Sequence, residues 1–114
     1  MQEGLTLSKL QQYIKETDHD PDHKHRYFLK LVEEVGELSE VIRKDSRMKE
    51  TGTIKGTIEE ELYDVLYYVA ALANVYEIEL EDCFVHKEKI NRVKWGKAGQ
   101  PERRQERGQA EAGM

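Results

Sequence analysis

Five carboxylates carry the chemistry that this sequence offers: Glu33, Glu34 and Glu37 in one stretch, Glu61 and Asp64 in another. An α-helix turns by 100° per residue, so Glu33, Glu34 and Glu37 share an arc of about 100° beside an apolar stripe. Glu61 and Asp64, three apart, are neighbours on a helix of their own. Like charges so placed repel, and a solvated acidic face is the plain alternative for the first group. The second group argues against it. Between Leu62 and Tyr76, LYDVLYYVAALANVY, Asp64 is the only charge. A helix that is apolar on nearly every side is buried, and a buried carboxylate must be paired, protonated or bound to a cation. Antiparallel packing of the two helices would join the pairs Glu34/Glu37 and Glu61/Asp64 in an oxygen-only, negative pocket. That donor set suits hard divalent cations, Mg²⁺ or Mn²⁺, rather than Zn²⁺, and Mg²⁺ bridging carboxylates to phosphate oxygens points to phosphoryl chemistry. A carboxylate di-iron site would need Glu-x-x-His pairs within helices. The match Glu16-x-x-His19 falls where a helix is expected to end.

The elements that must position these groups are helical. Prolines stand only at 21 and 101, and apolar residues recur at three-to-four spacing rather than alternating. A first helix is expected from about Thr6 to Glu16, with Leu7, Leu10 and Tyr13 or Ile14 on one face. Asp20-Pro21, an N-cap followed by proline at the first helical position, opens a second that runs to about Lys44 and is about 36 Å long. Its stripe of Phe28, Leu31 or Val32, Val35, Leu38 or Ser39, and Ile42 is expected to face the core. Gly36 costs about 1 kcal/mol against Ala inside a helix, which implies close approach of something to its backbone. Residues 45–56, DSRMKETGTIKG, read as a mobile connection longer than usual. Thr57-Ile58-Glu59-Glu60 is a capping box that starts a third helix, to about Tyr76. A fourth spans about Leu80 to Trp95 and stops at Gly96. One small domain cannot bury all sides of the third helix, so the face with Tyr63, Tyr67, Ala70 and Asn74 is expected to meet another subunit, as a homodimer or homotetramer.

The chain has 114 residues with 18 Lys+Arg and 23 Asp+Glu, a net charge of −5 and one cysteine. This is enough for one domain of residues 1–96. The stretch 97–114, KAGQPERRQERGQAEAGM, has no Leu, Ile, Val or aromatic side chain and is expected to be a disordered polar tail. It carries +1 of charge, leaving residues 1–96 at −6. No apolar run reaches a membrane span and the N-terminus lacks the order of a signal peptide, so a cytoplasmic location is expected and no membrane partner. Cys83 alone forms no intrachain disulfide framework and is expected to be a small packing residue. The acidic total argues against nucleic acid as a partner, which would demand clustered basic side chains.

Glu33-Glu34-x-x-Glu37, a gap of 23 residues, then Glu61-x-x-Asp64 resembles the EExxE…ExxD signature of MazG-like nucleoside triphosphate pyrophosphohydrolases. The resemblance runs from about Leu5 to Gly96, through LVEEVGELSEVI, EEELYDVLYYVAALAN, IELEDCF and KEKINRVKWG. It implies an all-α, four-helix MazG-type bundle that is oligomeric, and Mg²⁺-dependent cleavage of (d)NTP to (d)NMP and pyrophosphate. Carried over by residue, it makes Glu34, Glu37, Glu61 and Asp64 the Mg²⁺ ligands, with Mn²⁺ a possible substitute, and Glu33 a water-orienting or outer group. Lys87, Asn91 and Lys94, at i, i+4 and i+7, resemble the family's C-terminal pattern toward phosphates and sugar. Lys94 stands where arginine is frequent, which puts a bidentate phosphate contact in doubt. Trp95 could stack on a base or pin the helix end. Arg26, Tyr27 and Phe28 are candidates to border the nucleotide, whereas His19, His23 and His25 read as decoration of an exposed helix start. Two other readings stand beside this one: a phosphoribosyl-ATP pyrophosphohydrolase, which shares scaffold and bond cleaved, and a non-catalytic helical dimerisation module.

Overall fold

A computed structural model describes residues 4–94, and among them there are five α-helices, one 3-10 turn and no strand. Thr6 starts the first helix, α1 (Leu7–Thr17), its Oγ1 accepting from Lys9 N at 3.1 Å. The start expected at Asp20 differs in kind. The Asp20 carboxylate pairs with the His23 ring at 2.8 Å instead of capping backbone amides, and Pro21–His23 forms a 3-10 turn. The long helix α2 then spans Lys24–Lys44 and ends on Asp45 in the left-handed region (φ 54°), with Asp45 N and Ser46 N donating to Ile42 O and Val41 O.

The connection expected at residues 45–56 contains a short helix, α3 (Met48–Thr51), and it is tied down. Glu59 accepts from Arg47 Nε and from Met48 N, both at 2.9 Å, and Ile58 N donates to Ser46 O at 2.9 Å. These bonds close the end of α2 onto the start of α4 (Ile58–Val75), so the two helices run antiparallel. Thr57 caps α4 by accepting from Glu60 N at 3.2 Å. The reciprocal half of the expected box is shifted by one residue, since Glu60 Oε1 accepts from Gly56 N at 2.7 Å. The last helix, α5, spans Leu80–Lys94. The chain divides into two compact units, residues 1–80 and residues 81–114. In the described part of the second, α5 is the structure. Trp95 and the tail from Lys97 fall outside the described residues.

In the first unit α2 packs along α4, and α1 packs on the C-terminal half of α4. Ile14, Tyr27, Ala70, Ala71 and Val75 form the core, with Leu10, Tyr67, Tyr68, Leu72 and Leu80 packed against them. Two expectations are corrected here. The apolar stripe of α2 faces this core only in part: Leu31 and Leu38 are half-buried, whereas Phe28, Val32, Val35 and Ile42 are about half exposed, and the buried residues are Tyr27 and Val41. Tyr27, Glu34 and Val41 recur every seven residues and define the face toward α4. The exposed members of the stripe lie roughly a third of a turn away. Nor do Ala70 and Asn74 await another subunit, being buried within one copy of the chain. The apolar side chains that α4 leaves open are Leu62, Tyr63 and Leu66 in its first half. Gly36 meets nothing among the described residues, where a Cβ would have open space. Cys83 is exposed rather than packed. No described helix is long and apolar enough to cross a membrane.

Candidate metal centre

Antiparallel packing sets the middle of α2 beside the first two turns of α4. One oxygen from each of Glu34, Glu61 and Asp64 lies within 4.8 Å of the other two. Glu34 and Asp64 are half-buried, and Glu61 is only 8% exposed. Among the described residues, Glu61 Oε1 is the buried side-chain oxygen without a hydrogen-bond partner. Burial pushes the Glu61 carboxyl up to about 7, helped by its hydrogen bond with Glu34 and by the charges of Glu34, Asp64 and Glu60. Asp64 is also raised, by burial and then by Glu34 and Glu60, against the hydrogen bond from Glu61 and the charge of Lys55. Without a cation the group therefore holds a proton near neutral pH. The residues fit a hard divalent ion on three counts: all donors are carboxylate oxygen, the charges repel unless neutralised, and one buried oxygen lacks a partner.

Glu37, one turn beyond Glu34, is exposed and is not in this group of three. Glu33 is also exposed, and accepts from Lys30 Nζ at 3.1 Å. Phe28 lies on the exposed stripe of α2, its ring 5.9 Å from that of His25. Tyr27, expected near a nucleotide, is a fully buried core residue instead. Lys87 and Asn91 lie on α5 in the second unit, Lys87 exposed and Asn91 half-buried; Lys94 closes that helix.

Several neighbours of the site were not anticipated. Asp18 accepts from Tyr27 Oη at 2.8 Å and from Tyr67 Oη at 2.9 Å, clamping the α1–α2 junction to α4. Burial, then Asp18, holds the Tyr67 hydroxyl well above the usual phenol range. Lys30 Nζ stands 5.8 Å over the ring of Tyr68. The available signal was spacing: Lys30 is one helical turn before Glu34, and Tyr68 one turn after Asp64.

Residues 23–95 match the family model described as the MazG nucleotide pyrophosphohydrolase domain. The chain is similar to solved structures of iMazG from Vibrio DAT 722. With a C-terminally tagged form it shares 52% identity over 76% of this chain and 98% of the other, with a TM-score of 0.71. With an N-terminally tagged form the values are 49% identity, 82% and 100% coverage, and a TM-score of 0.72. Among curated proteins none matches.

Proposed function

Because the chain belongs to the MazG nucleotide pyrophosphohydrolase family, and is thereby a hydrolase, we propose that it cleaves (d)NTP to (d)NMP and pyrophosphate with Mg²⁺ held by Glu34, Glu61 and Asp64. The observation that carries this is the buried Glu61, whose unpartnered oxygen stands among two further carboxylates. Glu37, one turn along α2, completes the set from its exposed position, and Mn²⁺ would serve the same donors. The bound ion would neutralise the triphosphate and polarise the phosphorus under attack. The chain's own part is to fix the carboxylates. Thr57 sets the start of α4 and so the height of Glu61 and Asp64; the Asp18 clamp on Tyr67 holds α4 about one turn further along. Glu33, free of the buried group, orients the attacking water. Catalysis of this kind is mostly positioning and charge stabilisation, so few other groups are needed.

We place a second copy of the chain on the stripe Phe28, Val32, Val35 and Ile42 and on Leu62 and Leu66. This accounts for Gly36, which has open space within one copy and would allow close approach from another. Size-exclusion chromatography with light scattering should give a dimer or tetramer; a stable monomer refutes this part.

The activity is tested by a pyrophosphate-release screen across the eight common NTPs and dNTPs with Mg²⁺. Release from at least one nucleotide that is abolished by chelation is expected. No release from any of them, with Mg²⁺ or Mn²⁺, refutes the substrate assignment.

A further inference from the structure

Beside the three carboxylates stands a cation whose position is fixed from two sides. Lys30 precedes Glu34 by one turn of α2, and its Nζ lies over the ring of Tyr68, which follows Asp64 by one turn of α4. The same ammonium donates to Glu33 at 3.1 Å. Both partners of that ion pair are open to water, at 37% and 56% side-chain exposure. Exposed i, i+3 pairs contribute little to stability, so this one is easily exchanged. In the second half of α2 the basic side chains, Arg43 and Lys44, both pair with Glu40.

We propose that Lys30 contacts the substrate, its ammonium leaving Glu33 for a phosphate oxygen of the bound nucleotide and so releasing Glu33 Oε1 from its ion pair. A triphosphate carries more charge than one carboxylate and out-competes it for the ammonium. The Tyr68 ring keeps Lys30 next to the carboxylate group during the exchange, since a cation over a ring face is held without being neutralised. Glu33 thus starts the cycle paired through one oxygen and becomes an unpaired, stronger base once substrate has drawn Lys30 away. This rests on the reading of the chain as a triphosphate hydrolase.

The test uses full-length protein, Mg²⁺ and a non-hydrolysable α,β-methylene deoxynucleoside triphosphate matched to the best substrate. Lys30→Met should weaken analogue binding about 10- to 100-fold, the range for loss of a charge-assisted hydrogen bond. It should raise KM more than it lowers kcat, and Lys30→Arg should restore most of the affinity. Glu33→Gln should tighten analogue binding, because the competitor for Lys30 is gone, while lowering kcat. The double variant should bind like Lys30→Met alone. Analogue affinity unchanged by Lys30→Met, or weakened by Glu33→Gln, overturns the proposal. Should Lys30→Met not fold, the opposed effects of Glu33→Gln on binding and turnover decide it. Wild-type protein that neither binds the analogue nor releases pyrophosphate refutes the hydrolase assignment itself; active wild type with unmoved variants refutes only the role of Lys30.

Discussion

Two polar junctions lie along α4, and they are built on opposite rules. At its C-terminal end Gln11 and Asn74 interlock. Gln11 Nε2 donates to Asn74 Oδ1 and to Ile78 O, Asn74 Nδ2 donates to Gln11 O, and Leu80 N donates to Gln11 Oε1, all between 2.8 and 2.9 Å. Every group is neutral and partnered. At the N-terminal end Glu34, Glu61 and Asp64 repel one another, and Glu61 Oε1 has no partner. The first arrangement adds to stability, since buried polar groups cost free energy only when left unpaired. The second subtracts from it and makes chemical sense as a place for a cation. On the function proposed above, one helix carries a structural end and a functional end.

The largest effect should come from breaking the functional end. Asp64→Asn and Glu61→Gln should each lower pyrophosphate release by ~100-fold or more, since each removes a carboxylate that would hold the divalent ion at the reacting phosphates. The same Glu61→Gln should stabilise the cation-free protein at pH 8 by about 1–3 kcal/mol, as one pKa unit corresponds to 1.36 kcal/mol. Urea unfolding with chelator present checks this. Loss of stability in Glu61→Gln would mean that the carboxylate holds the helices together, contrary to the contrast drawn. At the structural end the signs reverse. Asn74→Leu should cost about 2–3 kcal/mol, because Gln11 Nε2 and Gln11 O lose a buried partner. Activity per folded molecule should be unchanged; a large fall in kcat at unchanged folding would join the two ends functionally.

A smaller effect, in pH dependence, sharpens the contrast. Glu61 is raised in the fold, so between its unfolded value and about 7 the folded chain binds a proton that the unfolded chain does not. Its contribution to cation-free stability is therefore fully present at low pH and is lost as pH rises through the neutral range. A divalent ion must displace the same proton. Mg²⁺ affinity, followed by calorimetry, should fall by up to about tenfold per pH unit below 7 and level off above it. Glu61→Gln should flatten that profile. The Gln11/Asn74 junction has no group that titrates there, so Asn74→Leu should leave the profile's shape intact.

What the sequence made legible follows from how local each signal is. Thr6 and Thr57 cap helices through amides three residues on, and Pro21 fixes its own φ, so the helix starts could be read within a residue or a few. The neighbourhood of Glu61 and Asp64 was legible because a three-residue spacing needs only one helix, whereas Glu37, at the same spacing from Glu34, lies outside the group of three. Which side of α2 meets α4 was not legible. Apolar periodicity marks the face that avoids water and says nothing of what covers it, so Phe28, Val35 and Ile42 were assigned to the core along with Leu31 or Val32 and Leu38 or Ser39, of which Leu31 and Leu38 are half-buried. Glu34 itself lies on the core-facing side, between Tyr27 and Val41, where hydrophobicity gives no hint of it. The latch of Glu59 on Arg47 and Met48 crosses 11 or 12 residues of chain, and the clamp of Asp18 on Tyr67 crosses 49. Such pairings belong to the packed helices and to no local pattern.

The smallest expected effect concerns the turn that closes the structural end. Glu77 adopts φ 58°, in the left-handed region. Its N–H donates to Asn74 O at 2.9 Å and Ile78 N donates to Ala73 O at 2.9 Å, the double bond pattern of a helix stop usually built on glycine. A side chain in this conformation costs free energy that glycine avoids, although glycine also loses more freedom on folding. Glu77→Gly should therefore stabilise the protein by about 0.5–1 kcal/mol in urea unfolding, with pyrophosphate release unaltered. The turn delivers Ile78 O to Gln11 Nε2, so an easier turn should reinforce the junction. Destabilisation would instead mean that the Glu77 side chain itself contributes there, next to Lys15, Gln12 and Glu79. The junction would then hold a charge after all, and the division of α4 into a neutral end and a charged end would have to be redrawn.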